Sequence, residues 1–238
     1  MQPVTIVNYR AAAPLVLTCE HASCAVPLEY DDLGLDAEEL RAHVGWDIGA
    51  AAVTRVVARA LGAPAVLAGV SRLVIDCNRD LADHDLIVSE SHGVHVPGNA
   101  RLDADERAHR IRTFYEPYHE AVDGVLGDKA GAFLLSLHSF TPLLNGRERR
   151  FDVGVLFDTC AAEAERVGEA LACQGLRVRY NQPYSGLDGL IFSARTHGEK
   201  HGLRYIELEL NNLLLRTPAA IETAAQHVIR ALAPVIAP

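Results

Sequence analysis

Four short stretches of this chain carry residue types that can bind a metal ion and move protons. "TCEHASC" at 18–24 sets Glu20 and His21 between two cysteines, and "HVGWD" at 43–47 supplies His43 and Asp47. "LHSF" at 137–140 supplies His138 and Ser139, and "IELEL" at 206–210 supplies Glu207 and Glu209. Two histidines and a carboxylate, with a further carboxylate close by, make the donor set of a hydrolytic zinc site. Three protein ligands leave a position for water, and the metal lowers the pKa of that water to about 7. The free carboxylate takes the water proton and passes it to the leaving nitrogen. On this reading His21, Asp47 and His138 are the ligands and Glu209 is the base. The same donors with open positions also suit Fe(II). Any one of the eleven histidines, taken singly, is more commonly a surface or hydrogen-bonded residue. The short H-E-x-x-H pattern is absent, since "EHASC" does not match it.

A second cluster, "SRLVIDCNRD" at 71–80, holds Arg72, Asp76, Asn78 and Arg79. An arginine grips a carboxylate with two parallel hydrogen bonds, and an asparagine adds another. An ion pair between Asp76 and one of the arginines is an equal reading, and the two are compatible. "NQPYSG" at 181–186 reads as a polar turn in which Tyr184 and Ser185 either touch substrate or belong to a proline-anchored loop. Ser139 beside His138, or Ser23 near His21, raises a serine hydrolase, but the G-x-S-x-G elbow is missing. Cysteine catalysis at Cys19, Cys24 or Cys77 would require a base and a lowered thiol pKa. His43 lies four residues before Asp47, and His197 lies four before His201. Both spacings fit one helix face. His43 either orients Asp47 or, the preferred reading, is an ordinary helix residue; the second pair is either a metal pair or, again preferred, a solvated helix end. His92 and His95 belong to a long loop that could act as a lid.

These groups stand at the ends of apolar runs. Stretches 14–19, 63–69, 72–77, 132–139, 152–157, 176–180 and 205–210 read as strands, mostly continuous rather than alternating. That is the pattern of strands covered on both faces. Helical patterns lie between them. One runs from an N-cap at Asp36 to residue 62, broken near Gly45; others cover about 101–126, 160–175 and 217–236. The alternation predicts an α/β fold with helices on both faces of a mostly parallel sheet. Ligands then bind at the carboxyl ends of the strands, where loops 79–100 and 143–150 also fall. No repeat or compositional break interrupts the chain, so residues 1–238 are expected to form one domain.

The 238 residues are 49% hydrophobic and 22% charged, enough for a sizeable core. A net charge of −9 disfavours nucleic acid as a partner. No apolar run of about 18 residues exists to span a membrane, and the first residues lack the pattern of a signal peptide. Five scattered cysteines argue against a disulfide framework and for a reducing compartment. The expected location is the cytoplasm, and the expected partner is a small molecule.

Seven segments, "VLTCEHASCAVP", "HVGWDIGAAA", "SRLVIDCNRD", "VPGNARL", "LHSFTP", "NQPYSG" and "IELELNNLLL", occur in the order seen in the N-formylglutamate amidohydrolase family. The resemblance spans about residues 14–216. That family is similar to the zinc carboxypeptidases, aspartoacylases and cell-wall amidases, which implies a three-layer α/β/α sandwich with one catalytic zinc. The resemblance implies that Asn78 and Arg79 of "DCNR" hold the substrate carboxylate, that Arg72 polarises the scissile carbonyl, and that His21, Asp47 and His138 hold Zn2+. It implies Glu209 as the base, N-formyl-L-glutamate as the substrate, formate and glutamate as products, and a place in histidine degradation. One departure matters: Cys24, not Glu, stands three residues after His21. The acidic ligand is therefore Asp47 or Glu20, whose side chain in an extended segment points away from that of His21. Glu207 and Glu209 share a strand face, so either can be the base. Other N-acyl amino acids, peptides or cell-wall amides are alternative substrates. A binding protein that keeps the pocket without turnover is the alternative of another class.

Overall fold

The apolar runs fold as strands of one seven-stranded sheet, in a computed structural model that describes residues 1–144 and 146–236. The strands are β1 (Val4–Val7), β2 (Leu15–Cys19), β3 (Ala65–Ala68), β4 (Phe133–Phe140), β5 (Val153–Leu156), β6 (Val178–Tyr180) and β7 (Arg204–Asn211). Their spatial order is β1-β3-β2-β4-β7-β5-β6. The central β3, β2, β4 and β7 run parallel. β1 is antiparallel to β3 at one edge, and β5 is antiparallel to β7, with β6 parallel to β5.

Among the described residues, seven α-helices connect or flank these strands: α1 (Ala37–Arg41), α2 (Ala50–Leu61), α3 (Ala104–Arg110), α4 (Glu116–Leu126), α5 (Ala161–Ala172), α6 (Phe192–His201) and α7 (Pro218–Ile236). Helices α2, α5 and α7 bury Val53, Val57, Val167, Leu171, Val228 and Leu232 against one sheet face. Helices α4 and α6, with the long loops, bury Tyr118, Val122 and Ala194 against the other. The result is the expected three-layer α/β/α sandwich. Among the described residues, no helix is long and apolar enough to cross a membrane.

Four differences from the sequence reading bear on the site. Residues 72–77 form turns and irregular backbone rather than a strand. Leu73, Val74, Ile75 and Cys77 are nevertheless buried, so the apolar run marks packing, not pairing. The edge strand β1 was not expected, because four residues behind a polar start carry little periodicity. The long helix after Asp36 divides. Asp36 caps α1 by accepting from the Glu38 and Glu39 amides, while Glu39 accepts from the Asp36 amide. The chain then folds back at Gly45, where a Cβ would meet the Leu40 carbonyl oxygen at 2.3 Å. Finally, "FSARTHGEKH" is helical as α6. Its buried residues are Ser193, Ala194, His197 and Gly198, so no apolar stripe announces it.

Side-chain alternation sets which groups reach the α4–α6 face. Val16, Leu134 and Tyr205 belong to the core on that side. Two and four residues further on, the same face carries Thr18 and Glu20, Ser136 and His138, and Glu207 and Glu209. Register aligns these rows: Thr18 and Glu207 both pair with Ser136, and Glu209 pairs with His138. The sheet face thus changes from apolar to ionisable toward the carboxyl ends of its parallel strands.

Candidate active site

At those ends a cavity of about 330 Å3 is lined by His21, Asp47, Arg72, His138, Glu207 and Glu209, among others. His21 follows β2 directly. Asp47 lies in the segment between α1 and α2, and its amide donates to the His21 carbonyl at 3.0 Å. Asp47 Oδ2 stands 2.8 Å from His138 Nδ1 and 3.5 Å from His21 Nδ1, and the two Nδ1 atoms are 3.1 Å apart. Asp47 Oδ2 also accepts from the Ser139 amide at 3.1 Å, and Oδ1 accepts from Arg72 Nη2.

The far nitrogen of each imidazole meets another carboxylate. His21 Nε2 is 2.7 Å from Asp76 Oδ1, and His138 Nε2 is 2.9 Å from Glu20 Oε2. Glu20 is itself held by Tyr118, whose hydroxyl donates to Oε1 at 2.7 Å, and by Ser136, whose hydroxyl donates to Oε2 at 2.6 Å. Glu20 therefore lies behind His138, on the side away from the atoms shared by His21, Asp47 and His138. Such carboxylate backing fixes the tautomer and orientation of an imidazole that binds a metal through its other nitrogen.

The electrostatics follow from burial and crowding. Glu20, Asp47, Asp76, Glu207 and Glu209 are all buried. Burial opposes ionisation of Asp47, but Arg72 and the two histidines outweigh it and hold its pKa well below the ordinary range. Burial also works against a charged His138, yet Glu207, Asp47 and Glu20 raise its pKa well above normal. Burial pushes Glu207 up to about 7. Burial and the neighbouring Asp47 also raise Glu209 well above the ordinary carboxylate range, and its Oε2 is buried without a hydrogen-bond partner. Against the cost of burial, their histidine and arginine partners hold Glu20, Asp47 and Asp76 below the ordinary carboxylate range, and a divalent cation among these groups would favour ionisation of the two raised acids as well. The chemistry of the donor set, imidazole nitrogen and carboxylate oxygen with no sulfur, suits zinc or another first-row ion. His138, Glu207 and Glu209 form an overlapping group whose donor atoms lie within 4.8 Å of one another.

Other residues singled out in the sequence are distributed unevenly. Arg79 and Tyr184 line the cavity, and the Arg149 guanidinium lies 5.3 Å from the Tyr184 ring. Asn78 also lines it, but its Nδ2 donates to Glu207 at 3.3 Å and its Oδ1 accepts from the Ser193 amide at 2.9 Å. These two contacts orient its amide at the cavity wall and leave the second N–H of Nδ2 uncommitted. Ser185 is not a cavity residue: its hydroxyl accepts from the Leu187 amide at 3.2 Å and caps the turn Gly186–Asp188. Asp76 bonds to His21 rather than pairing with an arginine. Arg72 keeps a buried Nε without a partner while its Nη2 serves Asp47.

Ser139, Cys19 and Cys77 find no support as nucleophiles in these contacts. The Ser139 hydroxyl donates to the Ile48 carbonyl, and burial raises the thiols of Cys19 and Cys77 out of the reactive range. Tyr118 was not identified from sequence, whereas His43, noted there for its spacing from Asp47, does lie beside it. Tyr118 lies on a helix 98 residues from Glu20, and no local pattern marks it. His43 is buried beside the cavity, 3.7 Å from Asp47 Oδ1, and burial lowers its pKa to about 3. His92, from the long loop, also lines the cavity and faces His43 with ring centres 6.1 Å apart. His95 is exposed on the short ribbon of that loop.

An α/β/α sandwich whose parallel strands end in buried imidazoles and carboxylates around an open cavity has the build of a hydrolytic α/β enzyme. The sequence model of the family described as N-formylglutamate amidohydrolase matches residues 13–216, and the chain belongs to that family, hydrolases that act on an amide bond. A crystal structure of a gene product from Agrobacterium tumefaciens is similar over 99% of this chain and 96% of that one, with 32% identity and a TM-score of 0.93. The N-formylglutamate amidohydrolase of Ralstonia eutropha shares the fold, with 22% identity and a TM-score of 0.73 over 99% and 97% of the two chains. No curated protein sequence matches this one.

Proposed function

We propose that this chain is a cytoplasmic, metal-dependent amidohydrolase that converts N-formyl-L-glutamate to formate and L-glutamate, acting as one domain over residues 1–238. The observation that carries this reading is the convergence of His21 Nδ1, His138 Nδ1 and Asp47 Oδ2 to within 2.8–3.5 Å, beside the unpartnered Glu209 carboxylate. A zinc ion held by His21, Asp47 and His138 would supply Lewis-acid polarisation of the carbonyl and a water whose pKa falls to about 7.

The protein's own groups then divide the work. Glu209 takes the proton from water and returns it to the departing amine nitrogen. Arg72, through its free Nε, stabilises the charge that develops on the carbonyl oxygen. Arg79 holds the substrate carboxylate, with Tyr184 on the cavity wall. Glu20 and Asp76 fix the two imidazoles from behind, and Asn78 steadies Glu207.

The test is a panel of N-formyl, N-acetyl and longer N-acyl amino acids, with muropeptides, assayed by amine release before and after chelation. Hydrolysis strongest on N-formyl-L-glutamate, lost on chelation and restored by Zn2+, is the expected result. Undiminished activity in chelator would overturn the metal reading, and a preference for muropeptides would overturn the substrate.

Tyr118→Phe probes the support behind the site. It removes the donor to Glu20 Oε1 from a buried network. The change is expected to weaken metal affinity roughly 10-fold and to lower stability by roughly 1–3 kcal/mol. Competitive zinc titration and thermal unfolding measure the two effects.

A further inference from the structure

Away from the cavity, a second set of nitrogen and oxygen donors meets between α4 and α6. His197 and His201 are four residues apart on α6, so helical geometry places both imidazoles on one face. Asp123 reaches them from α4. Its Oδ1 lies 2.9 Å from His197 Nδ1 and 2.9 Å from His201 Nε2. Asp123, His197 and His201 each offer one ligand atom, all within 4.8 Å of one another. Metal–ligand distances of about 2.0–2.2 Å in a tetrahedral array separate donor atoms by about 3.3 Å. The two distances from Asp123 Oδ1 are a few tenths of an ångström short of that edge, so a small retreat of the carboxylate would bring both to ligand spacing.

The surroundings point the same way. His197 is 2% exposed, and its far nitrogen, Nε2, is 2.8 Å from His119 Nδ1. The two rings are nearly parallel, with centroids 5.1 Å apart. A buried imidazole whose outer nitrogen is fixed by a partner presents its inner nitrogen in one direction, as a ligating histidine does. Lys200 Nζ binds the other carboxylate oxygen, Asp123 Oδ2, at 2.7 Å, leaving Oδ1 turned toward the histidines. Asp123 and His201 are half-buried, so solvent reaches the cluster and an ion has a way in.

We propose that Asp123, His197 and His201 form a second divalent-cation site, suited by its two imidazoles to zinc and neighbouring first-row ions, that clips α4 to α6. The clip has a structural purpose. Helix α4 carries Tyr118, which holds Glu20, and the first turn of α6 carries Ser193, whose amide holds Asn78. Tying these helices together steadies two supports of the catalytic carboxylates from a distance.

The full chain, stripped by chelator and reloaded with Zn2+ alone, is compared with His201→Gln and Asp123→Asn by elemental analysis after gel filtration. Each variant is expected to retain one zinc fewer per chain than the parent and to lose part of the zinc-dependent rise in Tm. Circular dichroism checks that each variant is folded, and two separate ligands guard against one that is not. The same comparison in a His138→Ala background isolates the second site, where one zinc is expected before the His201 change and none after it. Equal zinc content in parent and folded variants would overturn the proposal. Because the readout counts ions and not turnover, it stands or falls apart from the cavity's proposed chemistry.

Discussion

Glu209→Gln is expected to lower turnover by about 10²–10⁴-fold while leaving the fold and the bound ion in place. Glutamine has nearly the shape of glutamate, so packing is preserved, but it cannot accept and return a proton. Glu209 is suited to the task by position. It pairs in register with His138 across β7 and β4, and its Oε2 is buried without a partner. Glu207 sits two residues away on the same face, but it is already engaged, accepting from Asn78 and standing 3.5 Å from His138 Nε2. Glu207→Gln is therefore expected to act mainly through the position of His138, with a smaller fall in turnover. Steady-state kinetics on N-formyl-L-glutamate, with elemental analysis of the same samples, separate the two acids. Wild-type turnover by Glu209→Gln, with Glu207→Gln inactive, would exchange their roles.

The sequence exposes the sheet more readily than the contacts at its edge. Runs such as "AFLLSLHS" and "YIELEL" announce buried strands because β4 and β7 are covered on both faces. Parallel strands then bring their carboxyl ends together, which is why residues as distant as His21, His138 and Glu209 can be grouped without a structure. "SRLVIDC" misleads because burial and strand pairing have the same composition signature, and α6 escapes because it packs through small and polar residues. At the site, the residue types are legible but their pairing is not. Glu20 adjoins His21 in sequence yet serves His138, while Asp76, 55 residues away, serves His21. Period-two alternation says that Glu20 and His21 diverge; only the neighbouring strand says what each one meets. The same holds for Asn78, whose type suggests substrate and whose contacts with Glu207 and Ser193 only the fold reveals.

His138→Ala is expected to abolish both ion binding in the cavity and hydrolysis, and to cost stability beyond the loss of one side chain. His138 joins the centre: Asp47 lies 2.8 Å from Nδ1, Glu20 2.9 Å and Glu207 3.5 Å from Nε2. Without the imidazole these buried acids keep their mutual repulsion and lose a compensating partner. Breaking a buried charge pair in this way typically costs roughly 3–5 kcal/mol. Part of that loss should return when the stranded acid is neutralised, so Glu20→Gln added to His138→Ala is expected to be more stable than His138→Ala alone. In the otherwise unchanged protein, Glu20→Gln should be destabilising, since it removes the charge beside His138 and replaces one of two acceptor oxygens, either that for Tyr118 or that shared by Ser136 and His138, with an NH2 that cannot accept. The reversal of sign between the two backgrounds is a double-mutant coupling that denaturant unfolding measures directly. Simple additivity of the two changes would show that Glu20 and His138 do not act as a unit. Retained zinc affinity and turnover in His138→Ala would remove it from the ligand set and leave the metal to be held elsewhere in the cavity.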